Sequence, residues 1–191
     1  ALPLTTAALG TAMVTATALA HEHPWPVTVL LAVVAFDFSG GAAATATPSV
    51  RAQHHGTGGT RLRRLGFVAL HLHPFVLAVC VTGFGWPAAT VLYGCALAGA
   101  VAVDTAPPPL RRSTALAATV LGTVVTLPLL GAAPELTWVA PVMLVKLLLG
   151  HMLPETARPA PAATPHGAGA PTHDEEDGDH GTQARRPGGP A

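Results

Sequence analysis

The feature that most constrains this chain is a series of six apolar runs, each close to the length that crosses a lipid bilayer. About 20 consecutive apolar residues span the hydrocarbon core as a helix. The runs cover residues 1–20, 26–48, 65–84, 87–103, 113–131 and 136–153. Hydrophobic residues make up 50% of the chain and charged residues only 10%, too few to coat a water-soluble globule of 191 residues. The sequence therefore predicts an all-α, polytopic transmembrane helical bundle of five or six spans.

The first run decides between five and six spans. Residues 1–20 carry no charge and end in Ala18-Leu19-Ala20, a pattern of the kind that signal peptidase recognises, but the run lacks the basic segment of a signal peptide. It is therefore either a first transmembrane helix or a signal-like segment, with residues 21–153 forming the rest of the bundle. We expect a retained helix, because Thr-rich and Ala-rich spans pack closely against their neighbours.

Aromatic and basic residues predict how the helices are oriented. Trp25, Trp86 and Trp138 stand at the starts of three runs, as is typical of the membrane interface, and the predicted topology puts all three on one face. Arginines cluster at the opposite face, which the positive-inside rule makes cytoplasmic: Arg51, Arg61, Arg63, Arg64, Arg111, Arg112 and Arg158. We expect a multi-pass plasma-membrane protein with the loops at 49–64 and 104–112 and the C-terminal tail in the cytoplasm.

The composition changes after residue 153 to Pro, Gly, Ala and charge, with the stretch HDEEDGDHG at residues 173–181. Such a segment buries too little apolar area to offset its ordering entropy, so we predict a disordered cytoplasmic tail over 154–191. The chain has no basic stripe with interleaved aromatic residues, so nucleic acid is not an expected partner. The expected partners are the lipid bilayer and either another membrane protein or a second copy of this chain.

Ionisable side chains lie inside the predicted spans at similar depths. At about 1.5 Å of rise per residue, Asp37, His71, His73 and Lys146 fall in one slab near the middle of the bilayer, and His151 lies roughly 10 Å from the centre. A charged residue at mid-membrane costs about 2.5 to 3.5 kcal/mol, so these groups should turn inward and meet. Imidazole suits Zn, Cu, Ni and Fe and titrates near neutral pH. We therefore predict an intramembrane site for a divalent transition metal or for protons, formed by Asp37, His71, His73 and His151.

Helix geometry limits how the two histidines of the sequence HLHP act together. On a regular helix His71 and His73 point about 200° apart, so they reach one centre only if the helix distorts. Pro74 favours a distortion, because it lacks a backbone donor and restricts the residue before it. In the second run, Gly40-Gly41 is a candidate break that would expose backbone carbonyls as further ligands.

Structural roles compete with this functional interpretation. Asp37 and Lys146 can form a buried ion pair that fixes helix register, and either histidine can be neutral and donate to a neighbouring carbonyl. Three functions stay open: binding or transfer of a transition metal or protons, an intramembrane metal-dependent hydrolase, and an accessory or structural subunit. The hydrolase would use Asp37 as base or ligand, with Ser39 and the histidines supplying the other groups, but no HExxH or GxSxG motif supports it.

Overall fold

The computed structural model describes residues 2–45, 61–131 and 133–153, so the predicted disordered tail and most of the loop before residue 61 lie outside the described residues. Within those ranges there is no strand, and the all-α class is confirmed. The α-helices are α1 (Leu2–Ala20), α2 (Trp25–Thr45), α3 (Arg61–Ala69), α4 (His73–Cys80), α5 (Trp86–Thr105), α6 (Arg111–Thr126) and α7 (Val139–Leu144). Short 3-10 turns occur at Pro108–Leu110, Leu127–Leu130 and Pro134–Leu136, and α7 continues as a π-helix over Val145–His151.

Five helical segments of the described chain are long and apolar enough to cross a membrane. Three of them are α1, α2 and α5, and the other two are Arg61–Cys80 and Pro108–Leu130, each composed of shorter helical pieces. The sixth apolar run is less regular, and its helical part, α7 with the π-helix, covers Val139–His151. The segment nevertheless follows α2 from end to end, because Glu135 contacts His23 just before α2 and a Cβ at Gly150 would meet the side chain of Thr45, the last residue of α2. Most of its residues are buried, so it is an interior segment that contacts α2, α5 and α6.

The outer surface of this bundle is strongly apolar. Large hydrophobic side chains are exposed along the long helices, among them Leu4, Leu9, Met13, Val29, Val33, Phe36, Val120, Leu121 and Val124. Soluble monomers rarely expose contiguous apolar surface on this scale. Helices satisfy all their backbone hydrogen bonds internally, which is what a lipid environment demands. The described residues therefore form a multi-span bundle whose surface suits lipid.

Ion pairs join the connections at each end of the bundle. At one end, His23 of the α1–α2 connection lies 3.2 Å from the carboxylate of Glu135, which precedes α7. At the other end, Asp104 near the end of α5 lies 2.7 Å from Arg61 and 2.6 Å from Arg64, both at the start of α3. The connections that the sequence assigns to one face thus meet one another. Which face is cytoplasmic stays a prediction.

The helix that carries HLHP is broken next to Pro74, as its sequence indicates. α3 ends at Ala69, α4 begins at His73, and residues 70–72 leave the regular helix. The hydroxyl of Tyr93 donates to the carbonyl of Ala69 at 2.8 Å, which satisfies a group at the interrupted helix end.

The predicted break at Gly40-Gly41 is wrong, because α2 runs without interruption through both residues. The glycines provide space instead of a hinge. A Cβ at Gly40 would lie 3.0 Å from the Cβ of Ala7, and a Cβ at Gly41 would lie 2.6 Å from Cε of Lys146. Close approach of neighbouring groups explains these glycines without any exposed carbonyl.

Glycine also sets the distance between α6 and its neighbours. A Cβ at Gly122 would lie 2.8 Å from Cδ1 of Leu144 and 3.2 Å from the Cβ of Cys95. We expect Gly122→Val to lower the free energy of unfolding by about 1 to 3 kcal/mol, because added methyl groups overpack a filled contact. Reversible unfolding in detergent micelles measures this change.

The matched control is Gly94→Val in α5, since a Cβ at Gly94 meets nothing within 4 Å among the described residues. Equal destabilisation by both substitutions would show that the loss of stability reflects valine in a helix, and would contradict the packing role of Gly122.

Candidate metal site in the bundle interior

Three side chains from separate positions in the chain converge inside the bundle. Asp37 comes from the middle of α2, His71 from the break between α3 and α4, and His73 from the first position of α4. Each offers one ligand atom, and these atoms all lie within 4.8 Å of one another. The two imidazole rings are 5.5 Å apart between centroids. The helix break thus brings together two histidines that a regular helix would point apart.

His71 is buried and held by a backbone contact. Its Nδ1 lies 2.8 Å from the carbonyl oxygen of Phe67, one turn earlier in α3. A carbonyl only accepts, so Nδ1 is the donor, and in the neutral ring the lone pair lies on Nε2. Metal-binding histidines commonly use one nitrogen for the metal and the other for such a hydrogen bond, which fixes the ring orientation. The Phe67 contact therefore prepares Nε2 of His71 as a ligand atom.

His73 lies between Asp37 and the ring of Phe38. Its Nε2 is 3.8 Å from Oδ2 of Asp37, too far for a hydrogen bond but close enough for an electrostatic contact. The Phe38 ring meets the imidazole edge-on, with 5.2 Å between centroids. Nδ1 of His73 is buried and has no hydrogen-bond partner among the described residues. Buried polar atoms are almost always satisfied, so a further polar group or an ion at this nitrogen would complete its contacts.

Lys146 provides a fourth polar group from the π-helix. Its Nζ lies 2.6 Å from Oδ2 of Asp37, so the two residues that the sequence pairs are in contact. The lysine side chain is only 5% exposed, and its ammonium group lies 5.4 Å from the centroid of the Phe38 ring, within the range of a cation–π contact. π-Helical turns occur frequently at functional sites. Here the π-helix carries the only cation that contacts the group among the described residues.

Asp37 also borders a groove on the outside of the bundle. The groove encloses about 340 Å³ between the first turns of α1 and one face of α2. Its lining is apolar apart from the carboxylate: Pro3, Leu4, Ala7, Val33, Phe36, Gly40, Gly41 and Ala44. The carboxylate side chain is 43% exposed, in contrast to the buried lysine that pairs with it. One side of Asp37 therefore contacts Lys146 and His73 while another side faces the groove.

His151 and Ser39 lie apart from the convergent group. The His151 ring stacks on Phe67 with 4.0 Å between centroids, and Phe67 in turn lies 4.6 Å from the ring of His71. His151 is not a member of the Asp37–His71–His73 group. Ser39 contacts α1, because a Cβ at Gly10 would meet its side chain. The hydrolase hypothesis, which enlists Ser39, gains no support from this placement.

Sequence reasoning did not assign three contributing residues to the site, although two of them carry a periodic signal. Phe67 precedes His71 by four residues and Gly41 follows Asp37 by four, so both pairs share a helix face. The sequence does not distinguish Phe38 from aromatic residues that face lipid, because composition alone does not show which way its side chain points. The helical period could have identified the first two contacts.

These features define a class of protein: a multi-span helical membrane protein with an Asp/His group, buried at His71 and exposed at Asp37, that could hold a metal ion. Comparison with family models, with curated proteins and with solved structures found no match to this chain. Function is therefore inferred from the geometry of the group.

The hydrogen bond to Phe67 predicts the tautomer of His71. In the metal-free protein, the neutral ring should carry its proton on Nδ1, because the Phe67 carbonyl accepts from that atom. Nitrogen-15 NMR of histidine-labelled protein in micelles, at mildly alkaline pH, distinguishes the two tautomers. His71→Ala assigns the signal by its disappearance. A proton found on Nε2 would contradict the proposed preparation of that atom as a ligand.

Proposed function

We propose that this protein binds a divalent transition metal inside the membrane, with Asp37, His71 and His73 as its ligands. The observation that carries the proposal is the convergence of their ligand atoms within 4.8 Å. The alignment of His71 by the Phe67 carbonyl and the unsatisfied Nδ1 of His73 support it.

The ligand set suits Zn, Cu, Ni or Fe. Two imidazoles and one carboxylate are a common set for divalent iron, and imidazole also binds zinc, copper and nickel well. Bonds from zinc to such ligands are about 2.0 to 2.2 Å, so two ligand atoms of a tetrahedral ion lie about 3.4 Å apart. A ligand pair separated by the full 4.8 Å must therefore approach by about 1.4 Å. Binding of an ion thus requires the side chains at the helix break to rotate toward it.

Three protein ligands leave coordination positions open. A closed structural site uses four protein ligands, whereas sites that exchange a ligand or hold water keep at least one position free. Because the Asp37 carboxylate also faces the groove beside α1, a small ligand can complete the coordination sphere from that side. An open position accommodates water or a ligand from outside the protein. Transfer of the ion to or from such a ligand is the role that we propose for the site.

Metal content tests the proposal directly. Protein purified in detergent and incubated with one metal at a time should retain about one ion per chain. Asp37→Asn, His71→Ala and His73→Ala should each abolish retention, because loss of one ligand from three leaves too few bonds. Elemental analysis by mass spectrometry gives the ratio.

Two controls test the ligand assignment. His23→Ala removes a histidine that lies 3.2 Å from Glu135 at the end of the bundle, and it should leave the metal content unchanged. His151→Ala should also leave it unchanged, because its ring stacks on Phe67 outside the group. Absence of metal from the unaltered protein would overturn the proposal, and loss of metal in His151→Ala would contradict the three-ligand set.

Proton transfer is a second candidate, favoured by a series of neighbouring titratable side chains. The rings of His71 and His73 are adjacent, His73 lies 3.8 Å from Asp37, and Asp37 lies 2.6 Å from Lys146. Histidine and carboxylate chains within membranes commonly relay protons.

Proton flux into proteoliposomes, followed with a trapped pH-sensitive dye, tests this second candidate. Flux above that of protein-free vesicles should fall to that background in Asp37→Asn, which removes the ionisable group common to both contacts. His23→Ala should retain the flux. If the unaltered protein gives no more flux than protein-free vesicles, proton transfer is excluded. If it also retains no metal, the accessory or structural role is the function that remains.

A further inference from the structure

Two cations compete for one carboxylate in the proposed site. Oδ2 of Asp37 accepts a contact from Nζ of Lys146 at 2.6 Å, and the same carboxylate is the only anionic ligand in the metal group. A divalent ion at that position would lie a few ångströms from the ammonium group. Like charges at such a distance repel strongly in a protein interior. The lysine therefore either excludes the metal or moves when the metal binds.

A glycine of α2 leaves the space that the lysine side chain occupies. Gly41 lies one turn beyond Asp37, and a Cβ there would lie 2.6 Å from Cε, 3.1 Å from Cδ and 3.2 Å from Nζ of Lys146. The absence of a side chain at Gly41 thus opens the slot through which the lysine reaches the carboxylate. The π-helix packs against α2 and carries Lys146 into this slot.

The ammonium group has a second partner within reach. The Phe38 ring centroid lies 5.4 Å from Nζ, and a cation over an aromatic face is stabilised within about 6 Å. The ring also contacts His73 edge-on, so it lies beside the metal group without belonging to it. The ring can thus continue to stabilise the ammonium group when Nζ moves away from Asp37.

We infer that Lys146 is a tethered cation that occupies the Asp37 carboxylate in the metal-free protein and is displaced when metal binds. This inference rests on the proposed metal-binding function and names what regulates it. The lysine protects a carboxylate that would otherwise be unpaired in lipid, and by competing for it lowers the affinity of the metal. Lower affinity favours release, as a transferable ion requires.

A register-fixing ion pair predicts different behaviour. If Lys146 served only to align α2 with the π-helix, its removal would destabilise the bundle and would not tighten metal binding. Tethered competition predicts tighter binding when the charge is removed. The affinity for metal therefore separates the two roles, whereas stability alone does not.

Lys146→Met is the direct test, because methionine keeps an unbranched apolar stem and removes the charge. Titration of the detergent-purified protein with divalent zinc should show affinity at least about tenfold tighter than that of the unaltered protein, since charges about 4 Å apart interact strongly enough for a change of that size. Lys146→Arg keeps the cation and should bind zinc with nearly unaltered affinity.

Gly41→Ala tests the same mechanism without altering any charge. The added methyl group would meet the flexible end of the lysine, so the helix accommodates it while the ammonium group shifts from Asp37. Zinc affinity should rise, by less than in Lys146→Met. Gly94→Ala is the matched control, because a Cβ there meets nothing within 4 Å among the described residues, and it should leave affinity unchanged.

The double variant Gly41→Ala with Lys146→Met completes a cycle. If Gly41→Ala acts through the lysine, the double variant binds zinc with the affinity of Lys146→Met alone.

Unaltered zinc affinity in Lys146→Met overturns the inference and leaves the proposed function standing. If Lys146→Met does not fold, unaltered affinity in Gly41→Ala overturns it instead. Absence of zinc binding in every variant, including Lys146→Met, overturns the proposed function and the inference together.

Discussion

The contact between Asp37 and Lys146 is the interaction on which the interior of this bundle depends. Lipid offers no water to solvate a carboxylate, so Asp37 needs a protein partner at the same depth. The partner comes from a segment, Val139–His151, that is buried among the other helices. Gly41 leaves the space that the lysine stem fills. The pairing thus holds this buried segment against α2 at the depth of Asp37.

The order of the helices could be predicted because the bilayer fixes their length and composition. Five of the six apolar runs correspond to segments long and apolar enough to cross it. The same physics predicted that the polar groups meet, since a charge at mid-membrane turns toward other protein. Sequence did not give the irregular geometry of the sixth run. A 3-10 turn at Pro134–Leu136 lies at its start, the α-helix begins only at Val139, and a π-helix follows from Val145.

Which side chains meet at the site depends on the direction in which each one faces around its helix. The depth of a residue in the membrane, which the sequence does predict, does not give that direction. Pro74 indicated that His71 and His73 could share a centre, and the break at residues 70–72 brings their rings together. The same reasoning grouped His151 with them from depth alone, whereas its ring stacks on Phe67 beyond the group. Gly40-Gly41 was also ambiguous in the sequence, because glycine in a helix indicates either a break or a close contact with another helix. Only the positions of the neighbouring residues distinguish the two.

Two irregular stretches of backbone meet at this one site, and that coincidence bears on its role. Non-helical backbone at membrane depth is tolerated only where it is buried in protein or lines a cavity. Residues 70–72 interrupt one span, and the turns around Lys146 are π-helical. A pair that only fixed register would require two regular helices and one carboxylate opposite one ammonium group. The break adds nothing to that pair, because its effect is to turn two imidazoles toward the carboxylate. The departure of the backbone from regular geometry where His71 and His73 meet Asp37 favours the proposed ion-binding role over a purely structural pair.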